Sequence, residues 1–451
     1  MTENKGFYTK LIAIALPIAL QQLIVSSLNL VDIFMISSLS KEAIAGVGAA
    51  NRFFFLLNLF LFGMSSGSSI LTAQFWGVKD VKSIKKVYGL SLTIAMAGSF
   101  FFTLLAVIFP SFVMSIFTTD PLVISEGSNY LRIVGLSYVF TSITFITVFV
   151  LRSTNNVRLP LKVTVIAISM NTFFNWILIF GHLGFKAMGV EGAAIATVMA
   201  RTFECFFMIY LVNKYKLPPS GTPKQIFRFS KTMTKKFAVI AFPVVLNEIL
   251  WSTGVTMYAA VYGRMGTDVL AAMTITQTIE QIAFVLISGL GNACGIMLGN
   301  SLGEGKFERV YEDAKRFMKV AFYTGAVIGM TLMLVAPYIA KLYSVSDTVY
   351  YNMVGSLTVF GLFLMIKSVN MVIIVGILRS GGDTTYCAIM DAAGVWVIGV
   401  PLAFITGLYL KWDLPYVYAA VLFEELAKIG FGVHRTLSKK WMNNLVEDSN
   451  S

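Results

Sequence analysis

Asp32, Asn171, Asn175 and Thr197 are oxygen-bearing side chains set inside long apolar runs. Polar and ionisable groups at membrane depth are costly and mark functional positions by default. Asn171 and Asn175 are four residues apart, so on a helix they share a face. A rise of about 1.5 Å per residue puts Asp32 in the outer third of its run and the asparagines in the outer half of theirs. Thr197 falls about two turns into a third run, at the same depth. A carboxylate with two amides and a hydroxyl at one level is a reasonable sodium site. Taken out of water, the same carboxylate could instead hold a proton. The alternative is that the amides only bridge neighbouring helices, as polar residues do in membranes.

A second set lies in the other half of the chain. Glu248 and Glu280 enter their runs from opposite sides and both fall near the midplane, with Lys367 at a similar depth. A lysine between two carboxylates would be a competition switch, displaced by a proton, a sodium ion or a cationic compound. The alternative is a permanent structural ion pair. Arg201 with Glu204, and Glu424 with Lys428, stand at helical spacing and are expected to neutralise each other. Arg152, Arg379 and Asp383 are expected to fix loop geometry, and Asp391 and Glu425 to be structural. Pro17 and Pro243 lie early in their runs, where proline frees backbone carbonyls and permits bending; both are gating candidates.

Other chemistry has little raw material. There are two histidines, and the three cysteines (Cys205, Cys294, Cys387) are isolated, without metal or redox spacing. No HExxH, Ser/His pair or catalytic Asp pair sits at depth, so no enzyme, no cofactor and no metal beyond Na+ is expected. The 37 Phe and 22 Met residues suit varied hydrophobic cations, but most must face lipid or helix interfaces.

These residues need a membrane scaffold. The 451 residues are 57% hydrophobic and only 13% charged, with a mean hydropathy of +0.76. A soluble chain would be about 25% charged. Apolar runs longer than about 18 residues recur from end to end. The pattern predicts an all-α membrane protein of twelve helices over 9–36, 43–75, 86–110, 122–151, 160–181, 189–212, 236–263, 267–300, 316–341, 350–378, 385–410 and 414–436. The first run follows Lys5 and Lys10 and shows no cleavage site, so it reads as a retained span.

Basic residues set the sidedness. The N-terminus, the loops after even-numbered helices and the end of the chain hold most of the 35 Lys and Arg residues. The opposite loops hold only Lys41, Lys186, Arg264, Lys341 and Lys411. Both termini are therefore expected in the cytoplasm, in a multi-pass protein of the cell membrane. The net charge of +12 then reflects topology and anionic lipid, with no nucleic acid partner.

The chain also repeats itself. A shift of 226 residues (241 − 15) lays Ala15-Leu16-Pro17 over Ala241-Phe242-Pro243, Gln22 over Glu248, Asn51 over Gln277 and Gly77 over Gly303. The triplet Leu151-Arg152-Ser153 returns as Leu378-Arg379-Ser380 at a shift of 227 (378 − 151). Six helices per copy give two six-helix bundles related by a parallel repeat, a transporter architecture. The N-terminal lobe is expected over 1–213 and a cytoplasmic linker over 214–235. The C-terminal lobe, with a short cytoplasmic tail, follows over 236–451.

The segments ALPIALQQLIVSSLNLVDIFMI, AQFWG, NTFFNWILIFG, GVEGAAIATVMAR, GRMGTDVLAA and ILRSGGDTT resemble the multidrug and toxic compound extrusion (MATE) transporters, of the NorM-like bacterial type. The resemblance spans nearly the whole chain in order and spacing. It implies a monomeric, two-lobed antiporter that exports small cationic or amphipathic organic compounds while Na+ or H+ runs inward, by rocking of the lobes. It further implies that Asp32, Asn171, Asn175 and Thr197 match the family's acidic, Asn-rich cluster. Asn175 stands where the DinF-like branch tends to have Asp, which leans toward the NorM-like pattern. Trp251 and Ser368 stand where NorM-like members carry acids on helices seven and ten, so coupling through the second lobe does not carry over. A lipid-linked saccharide flippase of the same superfamily is the alternative; its cavity should be cationic.

Overall fold

The computed structural model describes the backbone of residues 2–446 apart from 38 and 344, and their side chains apart from those at 2–5, 28–30, 32, 33 and 37. Twelve long helices carry the described chain: α1 (Thr2–Ser37), α2 (Lys41–Gly77), α3 (Val81–Ile108), α4 (Pro121–Ser153), α5 (Arg158–Phe180) and α6 (Gly189–Lys214) come first. Then follow α7 (Lys231–Met265), α8 (Thr267–Gly303), α9 (Phe307–Leu342), α10 (Asp347–Leu378), α11 (Thr384–Tyr409) and α12 (Leu414–Leu437). Eleven of them are long and apolar enough to cross a bilayer. The twelfth has the length, but Glu424, Glu425 and Lys428 crowd its middle. The chain is a multi-span membrane protein.

The helices begin earlier than their apolar runs where charge precedes them. α9 starts at Phe307, nine residues before the expected 316, because its first turns carry Glu308, Arg309, Glu312, Asp313, Lys315 and Arg316. Those charges pair along the helix, as in Arg316 to Asp313 at 3.0 Å, so the polar turn is stable outside the apolar layer. Short polar side chains stop the frayed ends: Ser40, Asp80, Asp120 and Ser346 each accept a backbone N–H at the start of α2, α3, α4 and α10.

The chain divides into two compact units, Leu20–Ala238 and Val239–Ser451 together with Met1–Ala19. They are the N-terminal and C-terminal units below. The repeat is visible in the backbone. α2 and α8 are both 37 residues long, and each bound differs by 226. The left-handed turn residues recur too: Lys79 (φ 59°) with Gly305 (φ 73°), and Asn155 (φ 64°) with Gly382 (φ 76°), at shifts of 226 and 227.

Packing within each unit depends on small residues, as expected where lipid removes the hydrophobic drive between helices. In the N-terminal unit, a Cβ on Gly46 of α2 would stand 2.7 Å from the backbone N of Gly127 on α4. In the C-terminal unit, Gly329 of α9 packs directly on the Gly361 backbone of α10. Regularity breaks at three π-helical stretches, Val372–Leu378 closing α10, and Gly394–Gly399 and Ile405–Tyr409 within α11. After α12 the chain folds back: Trp441 is fully buried and its indole donates to the Thr436 carbonyl at 3.0 Å, while Asn443 donates to the Gly381 carbonyl at 3.0 Å.

Candidate cation and charge sites

In the N-terminal unit, α6 can approach α5 because Gly192 packs on the Leu178 carbonyl, where a Cβ would stand at 2.6 Å. That approach brings the predicted amides and hydroxyl together. Asn175 Nδ2 donates to Asn171 Oδ1 at 3.2 Å, and Asn171 Nδ2 reaches Thr197 Oγ1 at 3.5 Å. Thr197 in turn donates to the Ala193 carbonyl at 2.9 Å. Asn171 and Asn175 are both buried. Asp32 has its backbone in α1, but its side chain lies outside the described residues.

Nearer the other end of the same helices runs a chain of hydrogen bonds that the sequence reading did not assemble. Arg152 donates to Gln21 Oε1 at 2.7 Å, Gln21 Nε2 donates to Thr164 at 2.9 Å, and Thr164 donates to Glu204 at 2.9 Å. Arg201 completes it, 3.1 Å from Glu204. Arg201 and Glu204 are thus the expected pair, yet Glu204 also anchors a chain crossing α1, α4, α5 and α6. Arg152, read as a loop-fixing residue, is instead buried and turned inward.

In the C-terminal unit the acids separate. Glu248 takes Arg379 at 3.0 Å, and Glu280 accepts the Tyr418 hydroxyl at 2.5 Å. Among the described residues Lys367 forms no ion pair with either; its ammonium lies over the rings of Phe360 and Phe284, at 5.4 and 5.8 Å. The expected lysine bridge is thus corrected at Glu248, whereas Lys367 stays near enough to Glu280 for its charge to act on that carboxylate. Arg379, twelve residues further along, reaches Glu248 instead. Arg379 is no loop residue in effect, for its side chain is 2% exposed. Asp383 is bound by Arg435 through two hydrogen bonds of 2.7 and 3.2 Å.

The densest buried charge in this unit is elsewhere. Lys428 lies 2.8 Å from Asp391 and 3.2 Å from Glu424. Glu424 accepts the Tyr258 hydroxyl at 2.7 Å. Glu425, next along α12, accepts Asn370 Nδ2 at 2.7 Å. Glu424 and Lys428 were legible as a spaced pair; the parts from α7 and α11 were not, since no spacing links them.

Pro17 and Pro243 both sit inside unbroken helices, α1 and α7, 226 residues apart. The two arginines are equivalent as well: Arg152 to Gln21 and Arg379 to Glu248 each join partners 131 residues apart.

Known proteins bear on this arrangement. The probable multidrug resistance protein NorM of Thermotoga maritima is 23% identical over 450 residues, covering 97% of this chain and 94% of that protein. The probable multidrug resistance protein YoeA of Bacillus subtilis is 25% identical over 379 residues, 83% of this chain and 81% of that protein. The fold is similar to a crystal structure of a point mutant of the Vibrio cholerae MATE transporter VcmN, with a TM-score of 0.89 at 16% identity over 98% of this chain and 100% of that one. It is also similar to a MOP superfamily transporter from Pyrococcus furiosus, with a TM-score of 0.86 at 20% identity over 96% of each chain. The MatE family model matches residues 17–177 and again 243–405, so its second match starts 226 residues (243 − 17) after its first, as the repeat requires. With both halves matched in register, the chain belongs to the MatE family of transporters.

Proposed function

We propose that this chain is a secondary active multidrug efflux antiporter, exporting cationic or amphipathic organic compounds in exchange for Na+ or H+. The observation that carries the reading is the oxygen cluster on α5 and α6 formed by the buried Asn171 and Asn175 with the half-buried Thr197. Such a cluster lacks only a negative charge to hold a cation. Asp32 would supply it: α1 is tied to α5 by the Gln21–Thr164 hydrogen bond, eleven residues before Asp32 on the same helix.

In this reading an incoming cation neutralises Asp32 and is wrapped by the amide and hydroxyl oxygens. Cation and substrate compete, so loading one releases the other. Bending of α1 and α7 at Pro17 and Pro243 would accompany the change of access. The basic bias of the N-terminus and of the loops after even-numbered helices supports a cytoplasmic side for both termini. Relatives named as probable multidrug resistance proteins support the substrate class.

The test is efflux of a fluorescent organic cation from proteoliposomes, with a Na+ gradient or a pH gradient imposed separately. One gradient should drive efflux, thereby naming the ion, and Asp32→Asn should reduce it to the rate of empty liposomes. Efflux under neither gradient would sink the reading, and a lipid-linked saccharide would become the leading substrate.

A further inference from the structure

We infer that the C-terminal unit contains a monovalent-cation site whose occupant is the chain's own Lys428 ammonium. The ammonium is a compact monovalent charge with three donors, the nearest a side chain comes to a bound ion. Here it is 3% exposed and lies against Asp391 Oδ1 and Glu424 Oε1 at 2.8 and 3.2 Å. The Tyr258 hydroxyl orients the other oxygen of Glu424.

The surroundings are shaped for this occupant. The π-helical stretch Gly394–Gly399 is bounded by two glycines, and both meet the cluster. A Cβ on Gly394 would run into the Lys428 stem, and one on Gly399 would meet Tyr258 and Glu424. π-Bulges of this kind are frequent at functional sites. Three buried carboxylates, Asp391, Glu424 and Glu425, face this one ammonium, with Asn370 holding Glu425. A neutral side chain at 428 would therefore leave an acidic, oxygen-lined space.

By the repeat this cluster spans the counterparts of two N-terminal groups, the proposed ion site and the hydrogen-bond chain that ends at Arg201. Tyr258 stands where the shift of 226 puts Asp32, and Glu424 where the shift of 227 puts Thr197. Asp391 and Lys428 take the places of Thr164 and Arg201 at that same 227. The carboxylate has moved from the first helix of the repeat to the last, and a tethered cation fills the gap between them. A site filled by its own side chain cannot exchange ions.

The inference goes beyond the exporter reading and needs no substrate, so either can fail without the other. The test uses the full chain purified in detergent as Lys428→Ala and Lys428→Gln, with Lys428→Arg as control. Thermal unfolding is followed as NaCl replaces choline chloride at constant ionic strength. The two neutral variants should show a saturable, Na+-dependent rise of the unfolding midpoint beyond that of Lys428→Arg. Adding Asp391→Asn should abolish that extra rise. No extra rise in either neutral variant, or one that survives Asp391→Asn, would overturn the inference. Failure of both neutral variants to fold at any Na+ concentration would overturn it too, because a free cation then cannot replace the ammonium.

Discussion

At equivalent places in the two units an arginine reaches back to the first helix of its repeat, but it meets different chemistry. Arg152 meets the neutral amide of Gln21, whose other end passes the contact on to Thr164 and Glu204. Arg379 meets the carboxylate of Glu248 directly, at 3.0 Å. The same contrast holds deeper in the units. The N-terminal cluster gathers neutral amide and hydroxyl oxygens on α5 and α6, whereas the C-terminal cluster closes its carboxylates on Lys428. A duplicated plan thus leaves one cluster built of neutral oxygens and satisfies the charges of the other internally. Breaking a buried ion pair leaves an uncompensated charge, which makes the internal solution hard to undo.

Substitutions at matched positions can break or sharpen this contrast. The largest effect is expected for Arg379→Gln, which strands Glu248 and should destabilise the protein by roughly 3–5 kcal/mol, read as a fall in thermal unfolding midpoint in detergent. Adding Glu248→Gln should recover most of that loss. Tyr258→Phe removes a hydrogen bond to a charged group and should lower stability by about 1.5–3 kcal/mol. Arg152→Gln leaves only the neutral Gln21 without its donor and should lower stability by about 1–3 kcal/mol, less than Arg379→Gln. An Arg152→Gln loss equal to that of Arg379→Gln would show that the amide and carboxylate partners do not differ in kind. The smallest effect is expected for Thr197→Val. Removing one neutral oxygen should raise the cation concentration needed for half-maximal efflux by up to about tenfold, the equivalent of about 1.4 kcal/mol, with little change in unfolding midpoint.

Much of the scaffold was legible in the residues. Runs of apolar side chains long enough to span a bilayer leave few alternatives to helix, and the offset of 226 follows from residues such as Pro17 and Pro243 that a helix tolerates only in special places. The pairing of Asn171 with Asn175, and their meeting with Thr197, followed from spacing and depth. What depth could not supply was azimuth. Glu248, Glu280 and Lys367 lie at similar levels, but level does not say which way a side chain points round its helix, and the structure gives each a different neighbour. The π-helical turns of α10 and α11 rotate the residues beyond them, and nothing in Gly394–Gly399 announces that turn to a reading based on a 3.6 period. The buried polar chain from Arg152 to Arg201 was missed because its members come from four helices and no two adjacent links are close in sequence except the last pair.

The seat of Trp441 limits how the protein can be handled. Its ring is enclosed and its backbone lies against Gly381, so the stretch after α12 is held to the loop that follows α10. A reporter or affinity tag spliced in at Ser438 would displace that anchor, and with it the hydrogen bond of Asn443 to the Gly381 carbonyl, close in sequence to the Asp383 that pairs with Arg435. Fusions made beyond residue 446 would leave it in place, and are the ones to use when transport is the quantity of interest.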